Sequence, residues 1–554
     1  MSDASTSNLN PPAAPKREKL NFSTKLAYGS GDMGPAITAN VLVFFLLYFF
    51  TNVAGLPAGL AGSILAIGKI ADAINDPIMG IMSDRTRSRW GRRLPWMIWG
   101  ALPFGLLFFL QFLVPQFSSD DGVNNWLLFA YYVFIAILFN IAYTAVNLPY
   151  TALTPELTQD YNERTSLNSF RMAFSIGGSI LSLILAQIIF AAYPDNPAKQ
   201  YWVLGLLCSA ISIIAIFWCA LRIQERGKEP ILNGRKKRIL GITLIGLGGF
   251  AIAFGIGKTV AESFNITSLI GILLGLQLIP CGLTLFFSKS EAHLLYRPAK
   301  ANATPTETVP SLPFLEQLRI AFQNKPFLYV IGIYLCSWLA VQLTGSILIY
   351  FVVSWMGMSE ATFPQVAIAV QGTALIMLFI WKAVSDRVGK KAVYFMGTAI
   401  WIIAQGGLFL LQPGQILQMY VLAVLAGFGV SVAYLIPWSM IPDVIELDEL
   451  NTGQRREGIF YGFMVLLQKF GLALALWIVG IALELSQFIE RPPGGEIPIQ
   501  PDSALLAIRI AIGPLPTVIL IGGLILAYFY PITRDVHAQI LLQLQERREK
   551  NSDD

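Results

Sequence analysis

The chain has 554 residues, 55% of them hydrophobic and only 13% charged, with a mean hydropathy of +0.59. So apolar a composition excludes a soluble globular protein. The formal net charge of +5 is scattered over short segments at the edges of apolar runs, which excludes an extended nucleic-acid surface.

In chain order, residues 1–24 form a polar, proline-containing tail. The apolar run behind it is too long for a signal-peptide core, so no cleaved leader is expected. Membrane-length apolar runs then recur near 26–51, 57–82, 95–115, 126–149, 166–191 and 202–222. Two more, near 239–257 and 266–288, precede a Lys- and Pro-containing stretch at 289–325. The last six lie near 327–355, 362–384, 392–412, 418–441, 457–486 and 505–530, ahead of a charged tail at 534–554. The count is about fourteen spans of an all-α polytopic membrane protein.

The loop after the second run holds Ser83-Asp84-Arg85 and Gly91-Arg92-Arg93, and the sequence Ser385-Asp386-Arg387-Val388-Gly389-Lys390-Lys391 stands at the equivalent place much later. Two copies at long period mark two homologous halves. The expected units are therefore 25–225 and 326–533, six runs each, with an inserted pair at 226–288 and a linker at 289–325 carrying a short helix over Phe314–Gln323. Lys and Arg concentrate on one set of loops, so both termini are expected in the cytoplasm of a plasma or inner membrane. On that reading Asp84, Arg85, Arg92, Arg93, Asp386 and Arg387 form a gating motif on the cytosolic face. The cysteines, Cys208, Cys219, Cys281 and Cys336, all fall inside the runs without close spacing and read as packing residues.

The intramembrane charges carry the functional signal. Asp72 and Asp76 lie four residues apart, hence on one helix face. A carboxylate in hydrocarbon costs roughly 2.5–3.5 kcal/mol even on a lenient scale, and two together repel unless a cation intervenes or one is protonated. The pair therefore reads as a site for Na⁺ or H⁺. Lys469 stands alone at mid-run in the 457–486 segment and requires an acidic partner, Asp72 or Asp76, or an anionic substrate. Asp32, in a Gly- and Pro-loosened stretch, and Asn147, at a broken helix end before Leu148-Pro149, are further polar groups at membrane depth. Lys69 and Arg171 either join them or reach out to the interface. An enzyme reading fails on the residues available. No further carboxylate follows Asp76 before Asp84, and both histidines, His293 and His537, sit in the linker and tail.

Four blocks together resemble the major facilitator superfamily, and within it the glycoside–pentoside–hexuronide:cation symporters typified by the melibiose carrier. They are Lys25 to Asp32; Asp72-Ala73-Ile74-Asn75-Asp76-Pro77 to Gly80 with Arg87 to Arg93; Asn147-Leu148-Pro149-Tyr150; and Pro442-Asp443-Val444-Ile445-Glu446 leading to Gly453 to Gly458. The resemblance implies two pseudo-symmetric six-helix halves, here with two inserted central helices. It implies coupling-cation ligands at Asp72, Asn75 and Asp76, aided by Thr144, with Lys469 nearby. Substrate contacts are implied at Arg171 and on the polar faces of the first and fourth spans. The melibiose carriers' two sugar-binding aspartates are replaced here by Ala36 and Asn147, and their stacking tryptophan by Thr151. Asp32 lies one turn from Ala36 and stands in as a substrate contact. A second resemblance, through Tyr434-Leu435-Ile436-Pro437-Trp438 to Asp443 and through Tyr530-Pro531-Ile532, is to the sodium-dependent lysophosphatidylcholine symporters. The function implied is cation-coupled symport of a sugar or glycoside by alternating access, with a lysophospholipid or other amphiphile as the alternative cargo. No cofactor beyond the coupling cation is expected, and a monomer in the lipid bilayer.

Overall fold

The computed structural model describes residues 20–158, 161–225, 228, 231–232, 234–262, 266–287, 314–453, 457–491 and 498–553. Among them there are helices and no strand. In chain order the longer ones are α1 (Phe22–Asn52), α2 (Ala58–Arg85), α3 (Leu94–Leu110), α4 (Asp121–Thr151), α5 (Tyr161–Ala192) and α6 (Pro197–Arg222), with a single turn at Thr154–Leu157 between α4 and α5. Next come α7 (Gly234–Glu262), α8 (Ile266–Phe286) and a short α9 (Phe314–Gln323). The chain closes with α10 (Lys325–Trp355), α11 (Glu360–Val388), α12 (Lys390–Leu410), α13 (Ile416–Thr452), α14 (Glu457–Leu485), α15 (Asp502–Phe529) and α16 (Arg534–Asp553).

Twelve of the described helices are long and apolar enough to cross a membrane, and Leu94–Leu110 and Ile270–Phe286 are shorter apolar helices. Together they account for every apolar run of the sequence. The N-terminal tail and residues 288–313 lie outside the described residues, whereas the short helix expected over Phe314–Gln323 is present with those bounds.

The internal repeat extends beyond the loop motif. The interval from Asp84 to Asp386 also separates Tyr48 from Tyr350 and Gly55 from Gly357. Gly55 (φ 72°) and Gly357 (φ 68°) both adopt the left-handed conformation that a Cβ disfavours, and each ends the first helix of its group with matching backbone bonds. Ala54 N–H reaches Phe49 O and Met356 N–H reaches Phe351 O, both at 2.9 Å. Each of these helices also carries one π-helical turn, Leu42–Leu46 in α1 and Phe351–Trp355 in α10.

The two groups meet chiefly along two helix pairs, α2 with α14 and α5 with α11. The α2–α14 crossing is close because both helices present glycine there. A Cβ placed on Gly62 would lie 3.0 Å from the Cα of Gly480. The helices run antiparallel, so Asp72 and Lys469 both lie roughly 15 Å along the axis from that crossing, at about 1.5 Å per residue. That register brings acid and base together.

Helices α7 and α8 form a hairpin packed on α6, α1 and α5. Glycines make its seam, with Gly241 against Gly282, Gly248 against Ile279 and Gly255 against Ser268 and Ile272. The hairpin is also hydrogen-bonded to α6: Trp218 Nε1 donates to Thr284 Oγ1 at 2.7 Å, Arg222 Nε to Thr284 O at 3.2 Å, and Gln277 Nε2 to Ile211 O at 2.7 Å.

Candidate cation and substrate site

Asp72 and Asp76 project from one face of α2, as their spacing requires, toward α4 and α14. Asp72 is almost fully buried and Asp76 about one quarter exposed. Lys469 Nζ lies 2.8 Å from Asp72 Oδ2 and 2.5 Å from Asp76 Oδ2, so a single ammonium bridges both carboxylates from the opposite helix group. Their other oxygens converge on Thr144 of α4, whose Oγ1 is 2.9 Å from Asp72 Oδ1 and 3.0 Å from Asp76 Oδ1. The hydroxyl has one proton and donates to one of them at a time. Asn75 stands between the two aspartates in sequence, and its Nδ2 is buried without a partner among the described residues.

Lys69 does not reach the interface. Its Nζ donates to Asn140 Oδ1 at 3.2 Å, and Asn140 Nδ2 is held by Ala136 O at 2.7 Å. Two acids thus sit among two bases, with one base in each helix group. Asn140 carries no motif in the sequence; only the four-residue register of α4 with Ala136 and Thr144 hints at it.

A second pair lies nearby, where Arg171 Nε of α5 meets Asp32 Oδ2 of α1 at 3.4 Å. Asp32 occupies the break between Phe22–Ser30 and Met33–Val41. Tyr143 precedes Thr144 on α4 and packs against Phe104 and Phe139. Asn147 is half-buried one turn beyond Thr144. The C-terminal group contributes an aromatic cluster that the residue chemistry alone did not single out. Trp338 of α10 meets Tyr434 of α13 at 5.7 Å between centroids, Tyr334 meets Trp438 at 5.9 Å, and Trp438 stacks on Tyr461 of α14 at 6.3 Å. Trp338 Nε1 is buried without a partner among the described residues.

The face bearing the start of α2 and the end of α14 is closed by side chains from both groups. Tyr48 OH donates to Glu360 Oε1 at 2.9 Å, Arg491 Nη1 to the same oxygen at 3.1 Å, and Thr51 Oγ1 lies 2.7 Å from Tyr350 OH. Ala58 N–H donates to Glu490 Oε1 at 3.2 Å, while burial pushes the Glu490 carboxyl above its usual range. Midway, Gln371 Nε2 donates to Asn40 Oδ1 at 2.7 Å.

On the opposite face the two copies of the loop motif differ. Arg93 Nη2 pairs with Asp84 Oδ1 at 2.5 Å, and its Nη1 donates to Ser83 Oγ at 2.7 Å. Glu225, three residues past α6, accepts the backbone N–H groups of Arg92, Arg93 and Leu94 at 2.8–2.9 Å and so caps α3. Gly91 (φ 114°) is required there, since a Cβ would strike that carboxylate. Arg85 and Arg92 are exposed, as are Asp386 and Arg387, and Asp386 lies 3.6 Å from Lys382 one turn earlier. In this second copy the ion pair runs from the partly exposed Lys390 to the buried Asp443 of α13, at 2.6 Å.

Comparison with known proteins agrees with this architecture. The profile of the family described as MFS/sugar transport protein matches residues 27–243 and 236–534. An uncharacterized symporter of Synechocystis sp. is 61% identical over 539 residues, covering 96% of this chain and 98% of its own. The mouse sodium-dependent lysophosphatidylcholine symporter 1 is 25% identical over 543 residues, covering 97% and 90%. Among solved structures, the xylose transporter XylE from E. coli, in a partially occluded inward-open conformation, superposes with a TM-score of 0.52 at 13% identity, covering 93% of this chain and 98% of that one. That likeness concerns the fold.

Proposed function

The chain belongs to the MFS/sugar transport protein family and is a symporter of the major facilitator type; from that premise we propose that it couples carbohydrate transport to a cation bound between Asp72 and Asp76. The observation that carries the reading is the position of Lys469. Its ammonium bridges two carboxylates that belong to the other helix group, offsetting one of their two charges, and so acts as a tethered cation across the interface that must rock. A free cation entering this site takes over the neutralisation, with oxygens from Asp72, Asp76 and Thr144 and the side chain of Asn75 within reach. Hard cations favour such oxygen donors. Lys469 is then released, the two groups are freed to move, and cargo and cation affinities become coupled reciprocally.

The cargo lies between a polar wall on α1, α4 and α5 (Asp32, Tyr143, Asn147, Arg171) and the aromatic cluster on α10, α13 and α14. Sugar rings suit that pairing: hydroxyls bond to the charged and amide groups, and an apolar ring face packs on Trp338 or Tyr434. Trp338 Nε1 is a spare donor for such a ligand. The loops around Glu225 and Lys390 then face the cytosol, and both termini with them.

One feature favours a lysolipid or similar amphiphile as second reading. An apolar cleft of about 350 Å³, lined by Met33, Phe174, Leu273 and Gln277, opens beside α8, next to Asp32 and Arg171 in sequence. An acyl chain fits such a surface. Uptake into proteoliposomes of labelled sugars, glycosides and lysophosphatidylcholine, with and without an imposed Na⁺ or H⁺ gradient, separates the two. Gradient-driven sugar accumulation supports the carbohydrate reading, and lysolipid uptake alone replaces it.

A further inference from the structure

The segment leaving the last helix of each group returns to the loop between that group's second and third helices, and the two returns differ. In the C-terminal group cations bind the segment to carbonyls. Lys391 Nζ donates to Tyr528 O at 2.6 Å and to Tyr530 O at 3.3 Å, and Arg534 Nη1 donates to Arg387 O at 2.6 Å. In the N-terminal group the return leaves a hollow of about 750 Å³, walled by the loop after α2 on one side and by Glu225 and Lys228 on the other.

Four cations line this hollow, Arg87, Arg89, Arg92 and Lys228, against two carboxylates, Asp84 and Glu225. Both carboxylates are already engaged. Asp84 pairs with Arg93, and Glu225 accepts the N–H groups of Arg92, Arg93 and Leu94. Arg87, Arg89 and Lys228 are exposed, and among the described residues none of the three pairs with a carboxylate. Local bonds shape the wall. Gly91 N–H donates to Ser88 O at 3.1 Å and Trp90 N–H to Ser88 Oγ at 3.2 Å, while the Arg89 guanidinium lies 5.1 Å over the Trp90 ring. Ser88 Oγ accepts there and keeps its own proton to donate. Across the hollow, Lys228 N–H donates to Glu225 O at 3.2 Å and closes the turn that brings the lysine back. Guanidinium forks, an ammonium and a hydroxyl around one cavity are the donor set of a phosphate site.

The surface beside the hollow says which phosphate. Thr86 Oγ1 donates to Met82 O at 2.8 Å and accepts from Trp96 Nε1 at 2.9 Å, so this wall residue ties the last turn of α2 to the first turn of α3. Next to it Ile81 and Met82 on α2 are exposed, as are Trp99, Leu102 and Leu106, which share one face of α3. A soluble phosphate makes no use of that apolar face, whereas an acyl chain does, and a tryptophan suits the membrane boundary. We propose that the hollow binds the head of an anionic phospholipid, its phosphate held by Arg87, Arg89 and Lys228 and its chains lying along α3. Such a lipid is a resident ligand and not cargo, so the inference stands whatever is transported. The orientation proposed above decides only that the cytosolic leaflet supplies it.

Native mass spectrometry tests it on the full chain in detergent, titrated with phosphatidylglycerol, phosphatidylcholine or inorganic phosphate. The native chain is expected to take up its first phosphatidylglycerol about tenfold more tightly than phosphatidylcholine, a modest return for three cations facing one anionic head. Arg87→Gln combined with Arg89→Gln removes that preference. Lys382→Gln combined with Arg387→Gln takes equal charge from the C-terminal loop and leaves the preference intact. Phosphatidylcholine binding, unchanged in both variants, reports that the fold is kept. Equal affinity for the two lipids, a preference that survives the Arg87 and Arg89 changes, or an equal loss in the C-terminal variant overturns the proposal. Inorganic phosphate that displaces the lipid as effectively as added phosphatidylglycerol would reassign the hollow to a soluble phosphate and overturn it equally.

Discussion

Lys469 is the residue on which the site turns. Removing one member of a buried ion pair costs roughly 3–5 kcal/mol because the partner charge is stranded, less where water reaches it, as at Asp76. Lys469→Gln strands two carboxylates. The variant is therefore expected to melt at lower temperature than the native chain in choline buffer and to regain stability as Na⁺ or protons are added, since a cation can take the vacated place. A bound ligand at one hundred times its dissociation constant contributes about 2.7 kcal/mol. Identical melting of variant and native chain in choline would refute the tethered-cation account. Asp76→Cys removes one carboxylate and leaves Lys469 paired with Asp72. It should abolish cation-driven accumulation while sparing downhill flux, which initial rates with and without a gradient will separate. These three residues were legible because a charge in an apolar run has no cheap alternative explanation. Asn140 and the aromatic cluster were not, since an amide or a tryptophan at membrane depth is ordinary until its neighbours are known.

Among the elements, α3 depends on a residue far from it in sequence. Glu225 accepts the N–H of Leu94, the first residue of that helix, together with those of Arg92 and Arg93 just before it, after a tight turn at Gly91. A lost cap costs about 0.5–2 kcal/mol. Glu225→Ala should lower thermal stability by that order and raise exchange at Leu94 and the next few amides, with Gly91→Ala at least as severe because it combines backbone strain with a collision. Unchanged exchange in both variants would show that the cap is dispensable. The repeated loop motif was readable, but its two copies use different partners, and only folding reveals which chain segment returns to each. The α7–α8 hairpin is legible in the sequence as two apolar runs, while its hydrogen bonds through Trp218, Arg222 and Gln277 were invisible. Those contacts modify what its removal should do. Deleting 239–288 is expected to leave transport measurable but to lower the melting temperature, because Trp218 loses its cover. Complete loss of folded protein would make the hairpin part of the core.

For the whole molecule, the repeats explain the scaffold and their differences explain the function. Tyr48 and Tyr350, like Gly55 and Gly357, stand at equivalent positions, and the two tyrosines meet at 5.2 Å between ring centroids on the closed face. At the same interval, Asp72 and Asp76 fall opposite Ala374 and Leu378, so the acids belong to one group alone. The base that answers them comes from the other group, and under the proposed mechanism this asymmetry would tie ion binding to rocking. The glycine contact between α2 and α14 should be as sensitive as the ions. A Cβ on Gly480 would lie 2.6 Å from Ala58 O, so Gly480→Val is expected to hold that face open. Cysteines introduced beside Tyr48 and Glu360 should label faster in that background, and equal labelling would contradict the closure described here.

The most direct test of a cation site between Asp72 and Asp76 needs no knowledge of the cargo. The melting temperature of the purified protein, titrated with Na⁺, Li⁺ or protons at constant ionic strength, should rise saturably with at least one of them. That rise should vanish in Asp76→Cys. A native chain indifferent to all three, or a variant that responds as the native chain does, would contradict the account.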